Sequence, residues 1–406
     1  MSRVVAILRA STESPQYRPT PVDPYRDHLR RRREEHPTGR VRQLRKEILA
    51  PGLSSGRLRY HRPTQGRRTH PRQPHPERAD LPQAVQRGRA RRPLVTLPLF
   101  HSFGQTVQLN AGLAARATPV LMPRFDAEGA LSLMRRHRVT IFAGVPTMYW
   151  ALLGPSSTST DAETDADAVA RHLRIAVSGG AALPVEIHHR FTGRFHITIR
   201  EGYGLSETRP VATFTPMGTT AGPGVHGQAR LGCGSRPARL RLDPVRPDRV
   251  GENAVRGHNV KRGYHGSPEA TAEVVRDGWF RTGDPARRDE DGWLYIVDRT
   301  KDLIIRGGSN EYPREIEEVL HSHPDVGMAV GVGTARTPRR GGTEAFVLRA
   351  PGAKVTEEDP VAWSRDTMAA HTYPRPVEFR DALPMHATGK ILERELRGEF
   401  ATPAPR

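Results

Sequence analysis

The sequence is poor in cysteine, in aromatic residues and in long apolar runs, and each shortage excludes something. Cys233 is the one cysteine, which rules out an internal disulfide and any metal site built from several thiolates. Phe, Trp and Tyr make up 6% of the chain, and they are scarce among its most basic residues. A surface that stacks nucleic-acid bases between arginines is therefore not expected. Apolar residues nowhere approach 18 in succession, which excludes a transmembrane helix and leaves at most peripheral membrane contact. The opening apolar run, Val4 to Leu8, is too short for a secretory signal. A cytoplasmic chain is expected, and the sequence is silent on its oligomeric state.

What is present divides in two. The 406 residues carry a formal net charge of +19. Residues 1–93 hold 23 basic and 8 acidic side chains, and the remainder holds 40 and 36. The basic excess thus belongs to one end, where runs such as Arg30–Arg33 alternate with scattered prolines and apolar periodicity is poor. From Leu94 the pattern changes. Leu94–Phe100, Val120–Met122, Val139–Ala143, Leu173–Val177 and Ile197–Arg200 read as short strands, and Ala127–His137 reads as an amphipathic helix. Such alternation predicts an α/β fold with a mainly parallel sheet. Gly154–Asp167 reads as a polar surface loop. Residues 224–249 are again dense in Arg, Pro and Gly. Beyond them, strands at Trp293–Val297, Leu303–Ile305, Val326–Val332 and Ala345–Leu348 and a helix at Pro313–His321 predict a smaller mixed domain. The expected parts are 1–93, 94–298 and 299–400.

Several short strings carry chemistry. Ser178-Gly179-Gly180-Ala181-Ala182 and Glu201-Gly202-Tyr203-Gly204-Leu205-Ser206-Glu207-Thr208 each follow a predicted strand. Glycines there let a flat ring approach the backbone, Tyr203 offers a stacking face, and the Ser-Glu-Thr end offers a carboxylate and hydroxyls. Then come Gly278-Trp279-Phe280-Arg281-Thr282-Gly283-Asp284, the run Asp298 to Gly308, and Leu383 to Leu392 with its Thr388-Gly389-Lys390 turn. An aspartate suits vicinal hydroxyls, and a lysine on a tight turn can deliver one positive charge to a transferring group. Taken singly, each string also fits an ordinary glycine turn. His101 has an equally plain reading as a core histidine, and His188, His189, His321 and His323 read as solvated surface, not as metal ligands.

In this order and spacing the strings resemble the AMP-forming acyl-adenylating superfamily over most of Leu94–Arg397. Leu97–Gly104 and Phe142–Tyr149 resemble its bacterial fatty-acyl-CoA ligase branch. The resemblance implies a large adenylating domain, incomplete here, followed by a smaller mobile α+β C-terminal domain. It implies ATP, Mg²⁺ and coenzyme A, with a long-chain fatty acid as the acid and no nucleic-acid partner. Residue by residue, Gly179, Gly180 and Ala181 would line the adenine, with Tyr203 and Gly204 beside it. Thr208 would contact the α-phosphate and Glu207 would hold Mg²⁺. Asp284 and Arg299 would bind the ribose, Lys301 would lie at the hinge, and Lys390 would bridge carboxylate and α-phosphate. His101, Val145 and Pro146 would border the acyl pocket, and Gly307 and Gly308 would pass the pantetheine arm.

One family string is absent, the Ser/Thr/Gly-rich loop ending in Pro-Lys-Gly that cradles the outer phosphates. Where it is due stands Leu58-Arg59-Tyr60-His61-Arg62-Pro63-Thr64-Gln65-Gly66. A GC-rich coding of that stretch, read one base later, yields Ser-Gly-Thr-Thr-Gly-Arg-Pro-Lys-Gly. Gly227–Cys233 behaves the same way, so residues 55–93 and 227–249 are read as out of frame. Severely impaired adenylation is expected. The competing readings are a catalytically dead remnant that binds nucleotide nonproductively, a ligase that loads a carrier protein, and, last, a nucleic-acid-binding protein working through the arginine-rich end.

Overall fold

Short runs of β-branched residues separated by helices of one apolar face can bury both by stacking helices on a parallel sheet. Residues 91–229 do so. The computed structural model describes residues 67–68, 91–154, 162–219, 222–229, 233–239, 242–298, 304–306, 309–334, 342–368 and 372–399. Contacts divide the chain into two units, Met1–His75 with Lys261–Thr271, and Pro76–Val260 with Ala272–Arg406. In the first, Arg67–Arg68 pairs antiparallel with Gly263–Tyr264, and the Tyr264 N–H donates to Thr271 Oγ1 at 2.9 Å.

The second unit is built on a seven-stranded sheet. Its strands are β1 (Pro93–Val95), β2 (Val120–Leu121), β3 (Ile141–Gly144), β4 (Ile175–Gly179), β5 (Ile199–Gly204), β6 (Val211–Phe214) and β7 (Gln228–Ala229). They lie in the order β2-β1-β3-β4-β5-β6-β7. The first five run parallel, and β6 and β7 return antiparallel. Strand β4 is buried along its whole length, as a parallel strand covered on both faces must be. Helix α1 (Ala127–Arg136) starts at Asp126, whose Oδ1 accepts from the Gly129 N–H at 2.6 Å. It ends on Arg135 and Arg136, which complement the negative end of its dipole. Helix α2 (Pro146–Leu152) opens on a proline that needs no hydrogen-bonded N–H there. Helices α3 (Ala162–Ala170) and α4 (Val185–Phe195) complete the layer. Tyr149 sits at its centre, edge-on to Phe142 and Phe191, with its Oη donating to the Val177 carbonyl at 2.8 Å.

A second sheet holds β8 (Cys233–Ala238), β9 (Gly251–Gly257), β10 (Val275–Arg276), β11 (Trp279–Arg288) and β12 (Leu294–Ile296), in the order β10-β11-β9-β8 with β12 also on β11. The C-terminal part has α5 (Pro313–His321) and α6 (Glu358–Thr367) beside the sheet of β13 (Val326–Thr334), β14 (Gly342–Arg349) and β15 (Val377–Phe379). One face of that sheet packs Ala329, Ala345 and Val347 on Ile316 and Leu320 of α5. Its other face puts Met328, Val330, Phe346 and Leu348 into the same core as Phe142, Tyr149 and Leu152.

Four readings need correction. The strand expected at Leu94–Phe100 stops at Val95, because the chain turns at Pro98, whose carbonyl accepts from the His101 N–H at 3.0 Å. The strand expected at Ile197–Arg200 instead runs Ile199–Gly204 and so includes Tyr203. The expected loop Gly154–Asp167 gives way to α3, which buries Ala166 and Val169 on one face. His188 and His321, read as solvated, are each 5% exposed, since both fall on the apolar face of their helices. His188 Nε2 lies 3.2 Å from the Ile199 carbonyl, and burial lowers the His321 pKa to about 4. Among the described residues no group of three or more His, Cys, Asp or Glu could hold a metal, and no helix is long and apolar enough to cross a membrane.

Candidate functional site

In an open parallel sheet, ligands approach the carboxyl ends of the strands, where chains leave for opposite faces. Here β3, β4 and β5 deliver Val145, Gly180 and the Gly204–Thr208 turn to that edge. The turns are dictated locally. Gly180 has φ +87°, a conformation that costs glycine least, and its Cβ position faces Val145 Cγ1 at 3.4 Å. Gly204 is constrained differently, because any Cβ there would collide with the Pro210 carbonyl. Gly179 packs its backbone on Gly202 and the ring of Phe103. The next residue, Ala181, is half-buried.

Tyr203 and Asp284 meet directly. The phenol donates to Asp284 Oδ2 at 2.7 Å, which ties β5 of the first sheet to β11 of the second. Burial and the carboxylate charge push the Tyr203 pKa well up, so the phenol keeps its proton. Asp284 is held in turn by its own N–H, which donates to Thr282 Oγ1 at 3.1 Å, while Thr282 donates to the Asn253 carbonyl at 2.7 Å.

Thr208 is fully buried, and its hydroxyl is engaged by the turn. It donates toward Pro210 O at 2.6 Å and Leu205 O at 3.0 Å, and accepts from the Leu205 N–H at 2.9 Å. Glu207 is buried beside it. Ser206 Oγ lies 3.5 Å from Ser102 Oγ, which brings the Leu97–Gly104 segment and the half-buried His101 to the same edge. His101 Nδ1 accepts from the Phe103 N–H at 3.3 Å.

The lysine turn arrives from the far end of the chain. Gly389, at φ +80°, precedes Lys390, and the Gly389 carbonyl accepts from Thr147 Oγ1 at 2.8 Å. The turn closes on itself through His386 N–H to Lys390 O at 2.7 Å and Gly389 N–H to His386 O at 2.8 Å. Half-buried Lys390 thereby follows a glycine whose Cβ position faces Val145 Cγ2 at 3.0 Å and Thr147 Oγ1 at 3.2 Å. Arg299, Lys301, Gly307 and Gly308 lie outside the described residues.

Reading the strings missed a group behind this edge. Glu201, 4% exposed on β5, accepts from the Gly224 N–H at 2.9 Å, and its Oε2 lies 3.7 Å from Nε2 of buried His226. Burial raises the Glu201 pKa to about 7, and burial with Arg314 nearby lowers that of His226 to about 3. Only the phase of Glu201, an acid at an inward position of a strand, could have signalled it.

Comparison with known proteins gives the following. The model of the AMP-binding enzyme family matches residues 77–265, and that of the AMP-binding enzyme C-terminal domain matches residues 315–390. A feruloyl-CoA synthase of Amycolatopsis sp is 37% identical over 319 residues, covering 76% of this chain and 62% of that protein. A long-chain-fatty-acid–CoA ligase of Bacillus subtilis (strain 168) is also 37% identical, over 317 residues, covering 76% of this chain and 54% of that protein. The chain thus spans about three fifths or less of the length of these curated relatives. The ATP-bound structure of MatB from Rhodopseudomonas palustris superposes with a TM-score of 0.75 at 29% identity, over 86% of this chain and 67% of that one.

Proposed function

The chain belongs to the AMP-binding enzyme family, and from that premise we propose that it is by lineage an AMP-forming acid–thiol ligase. A carboxylate oxygen attacks the α-phosphorus of ATP, the bond to pyrophosphate breaks, and the coenzyme A thiol then displaces AMP from the acyl-adenylate. The observation that carries the reading is the docking of the Gly389–Lys390 turn at Val145–Thr147, beside Gly180 and the Gly204–Thr208 turn. Residues 242 positions apart thereby reach one sheet edge. Catalysis there is positioning plus charge neutralisation. Lys390 supplies the positive charge to the carboxylate and α-phosphate. Gly179–Ala181 and Tyr203 receive the adenine, and Asp284 the ribose, which exchanges one hydroxyl for the present Tyr203 contact.

Glu207 fits Mg²⁺. Magnesium takes one or two carboxylates and completes its shell with water and substrate phosphates, and the buried Glu207 carboxylate, next in the chain to Ser206, is of that chemistry. When bound, the ion neutralises phosphate charge. The acid we propose is a long-chain fatty acid, supported by Leu97–Gly104 and Phe142–Tyr149 and by the Bacillus relative. The feruloyl-CoA synthase at equal identity makes an aromatic acid the competitor to test.

The missing phosphate loop favours a second reading, in which nucleotide binds and adenylation does not follow. On it, residues 94–298 and 299–400 are the two domains, with 55–93 and 227–249 out of frame. Both readings separate in one experiment that bypasses the loop. Palmitoyl-adenylate or feruloyl-adenylate is supplied with coenzyme A, and acyl-CoA and AMP are measured beside ATP–pyrophosphate exchange. A ligase lineage with a broken first step gives acyl-CoA from one adenylate and almost no exchange. Absence of acyl-CoA from either, with AMP still bound, establishes the nonproductive binder. Resequencing the DNA over codons 50–95 and 224–252 then decides whether the loop is lost or misread.

A further inference from the structure

Buried polar groups concentrate where the C-terminal part meets the large sheet. Helix α5 presents Arg314 and Glu318 one turn apart, with Arg314 Nε 3.6 Å from Glu318 Oε1. Arg314 donates through Nη1 to the Ile296 carbonyl at the end of β12, and its N–H faces Asp298 Oδ2 at 3.4 Å. Glu318 Oε2 accepts from the Val185 N–H, the first of α4, at 3.0 Å. Glu201 sits behind them, with its hydrogen bonds coming from the backbone of Gly224 and Leu183 on the large part. The other Arg314 nitrogen, Nη2, lies 3.7 Å from the Cβ position of Gly224, the residue whose N–H bonds Glu201, so the guanidinium charge acts on the carboxylate across that backbone. The Nδ1 of His226 faces the Ile296 N–H at 3.4 Å, so its Nε2 carries the proton toward Glu201 and the ring is neutral.

We propose that Glu201 is a positioning residue, whose buried carboxylate holds Arg314 and through α5 seats the C-terminal part that brings Lys390 to Val145. The inference rests on the ligase reading for its purpose, since seating matters because Lys390 travels with it.

The seating contacts are of two kinds. The apolar face of β13 and β14, with Met328, Val330, Phe346 and Leu348, shares a core with Phe142, Tyr149 and Leu152, and the Trp150 ring lies on Gly327. Around it stand the polar contacts of Arg314 and Glu318 on α5 and of Thr147 against Gly389. The charged groups facing Glu201 are Arg314 and Glu318 from α5 and His226 from the segment before β7. Asp298 faces Arg314 from the other side, and Glu317, also on α5, points to the Gly331 N–H at 2.9 Å. Of the two α5 charges facing Glu201, Arg314 outweighs Glu318, and it favours the ionised carboxylate. Ionisation near neutral pH therefore strengthens seating. A one-unit difference in the Glu201 pKa between seated and unseated forms changes the seating constant about tenfold.

The test uses the full chain and no ligand. Trp150, whose ring lies on Gly327 of β13, reports seating directly when Trp279, Trp293 and Trp363 are Phe. Its acrylamide quenching is followed from pH 5.5 to 8.5 in this background and with Glu201→Gln or Arg314→Gln. The expected result is a fall in quenching as pH rises through about 7 in the parent, and a flat high level in both variants. If the background does not fold, amide exchange of the Leu183–Ile187 segment in the unaltered chain is compared with Glu201→Gln at each pH. The chemical pH dependence then cancels, and protection should diverge about tenfold between pH 6 and 8. A parent profile flat in pH, a profile unchanged by Glu201→Gln, or seating that loosens as pH rises overturns the proposal. Failure of the acyl-adenylate reaction would overturn the ligase reading alone, because no step of this test needs turnover.

Discussion

Two buried polar neighbourhoods lie on β5, and they are satisfied in opposite ways. At the outer end, Tyr203 and Asp284 complete one neutral-donor, charged-acceptor bond, and Thr208 spends its hydroxyl on its own turn. Two residues earlier, Glu201 has backbone donors but meets its opposite charge only through α5. The outer end is therefore set by the large part alone, whereas the inner one is complete only while the C-terminal part is in place. Rigid geometry at the reacting edge and conditional geometry behind it are separated by a single pleat.

The outer end breaks first at Gly204. An alanine there drives its Cβ into the Pro210 carbonyl, and neither backbone can yield without displacing Tyr203 or Thr208. Gly204→Ala is expected to cost about 3–5 kcal/mol in urea unfolding, the upper range for a single substitution. A loss under about 1 kcal/mol would mean that this turn is far less constrained than its contacts require.

The inner region is sharpened by pH. Glu201 and Glu317 have pKa values raised by burial from 4.5 to about 7 and about 8. A raised carboxyl contributes stability that is complete below the unfolded pKa and is lost as pH rises through the folded one, here between about 4.5 and 8. His226 and His321 are lowered by burial from 6.5 to about 3 and about 4. Their contribution is complete above 6.5 and disappears as pH falls through those values. Stability should thus peak on the acid side of neutrality, near pH 5–6, and fall by about 2–3 kcal/mol toward pH 8. Glu317→Gln should flatten the alkaline limb while leaving the acid limb unchanged, read by thermal melts across pH. A maximum at pH 8 would show that these carboxyls are not buried as they stand here.

The two regions also differ in how far the sequence exposes them. Gly179–Ala181, Tyr203–Thr208 and Asp284 lie in compact strings that the sequence exposes one by one, and only the resemblance to the acyl-adenylating superfamily implied that they meet. Helix Pro313–His321 was legible to the residue, because a proline opens it and its apolar residues recur at helical spacing. Arg314 and Glu318 stand at the i, i+4 spacing common to exposed ion pairs, and neither they nor His226 carry a local signal of burial. Their burial is created by tertiary packing between segments about 90 to 115 positions apart, which no local pattern encodes. Helix α3 was lost for a related reason, since its buried Ala166 and Val169 are small and Glu163, Thr164, Asp165 and Asp167 interrupt any apolar pattern.

Smaller changes test each region without breaking it. Tyr203→Phe removes the donor to Asp284 and keeps the ring, so stability should drop by about 1.5–2 kcal/mol, the value of a hydrogen bond to a charged acceptor. If Asp284 takes the ribose, AMP affinity measured by calorimetry should change by less than threefold, because the ring still stacks and the carboxylate is freed for the sugar. A loss above tenfold would assign the phenol a direct part in binding.

The smallest effect is expected at Thr147. Thr147→Val keeps the branched shape at the start of α2 and deletes the donor to Gly389, one neutral hydrogen bond of about 1 kcal/mol. Because that bond spans the two parts, its loss should fall on seating, lowering the seating constant read from Trp150 quenching about fivefold. Thr147 carries no charge and lies apart from Glu201, so its effect should be the same at pH 6 and pH 8. Combined with Glu201→Gln, the two free-energy losses should add if both act on one seating equilibrium through independent contacts. Additivity at both pH values would join the rigid edge and the conditional junction into one mechanism for presenting Lys390. A coupling above about 0.5 kcal/mol would instead show that the lysine turn and α5 move as separate bodies.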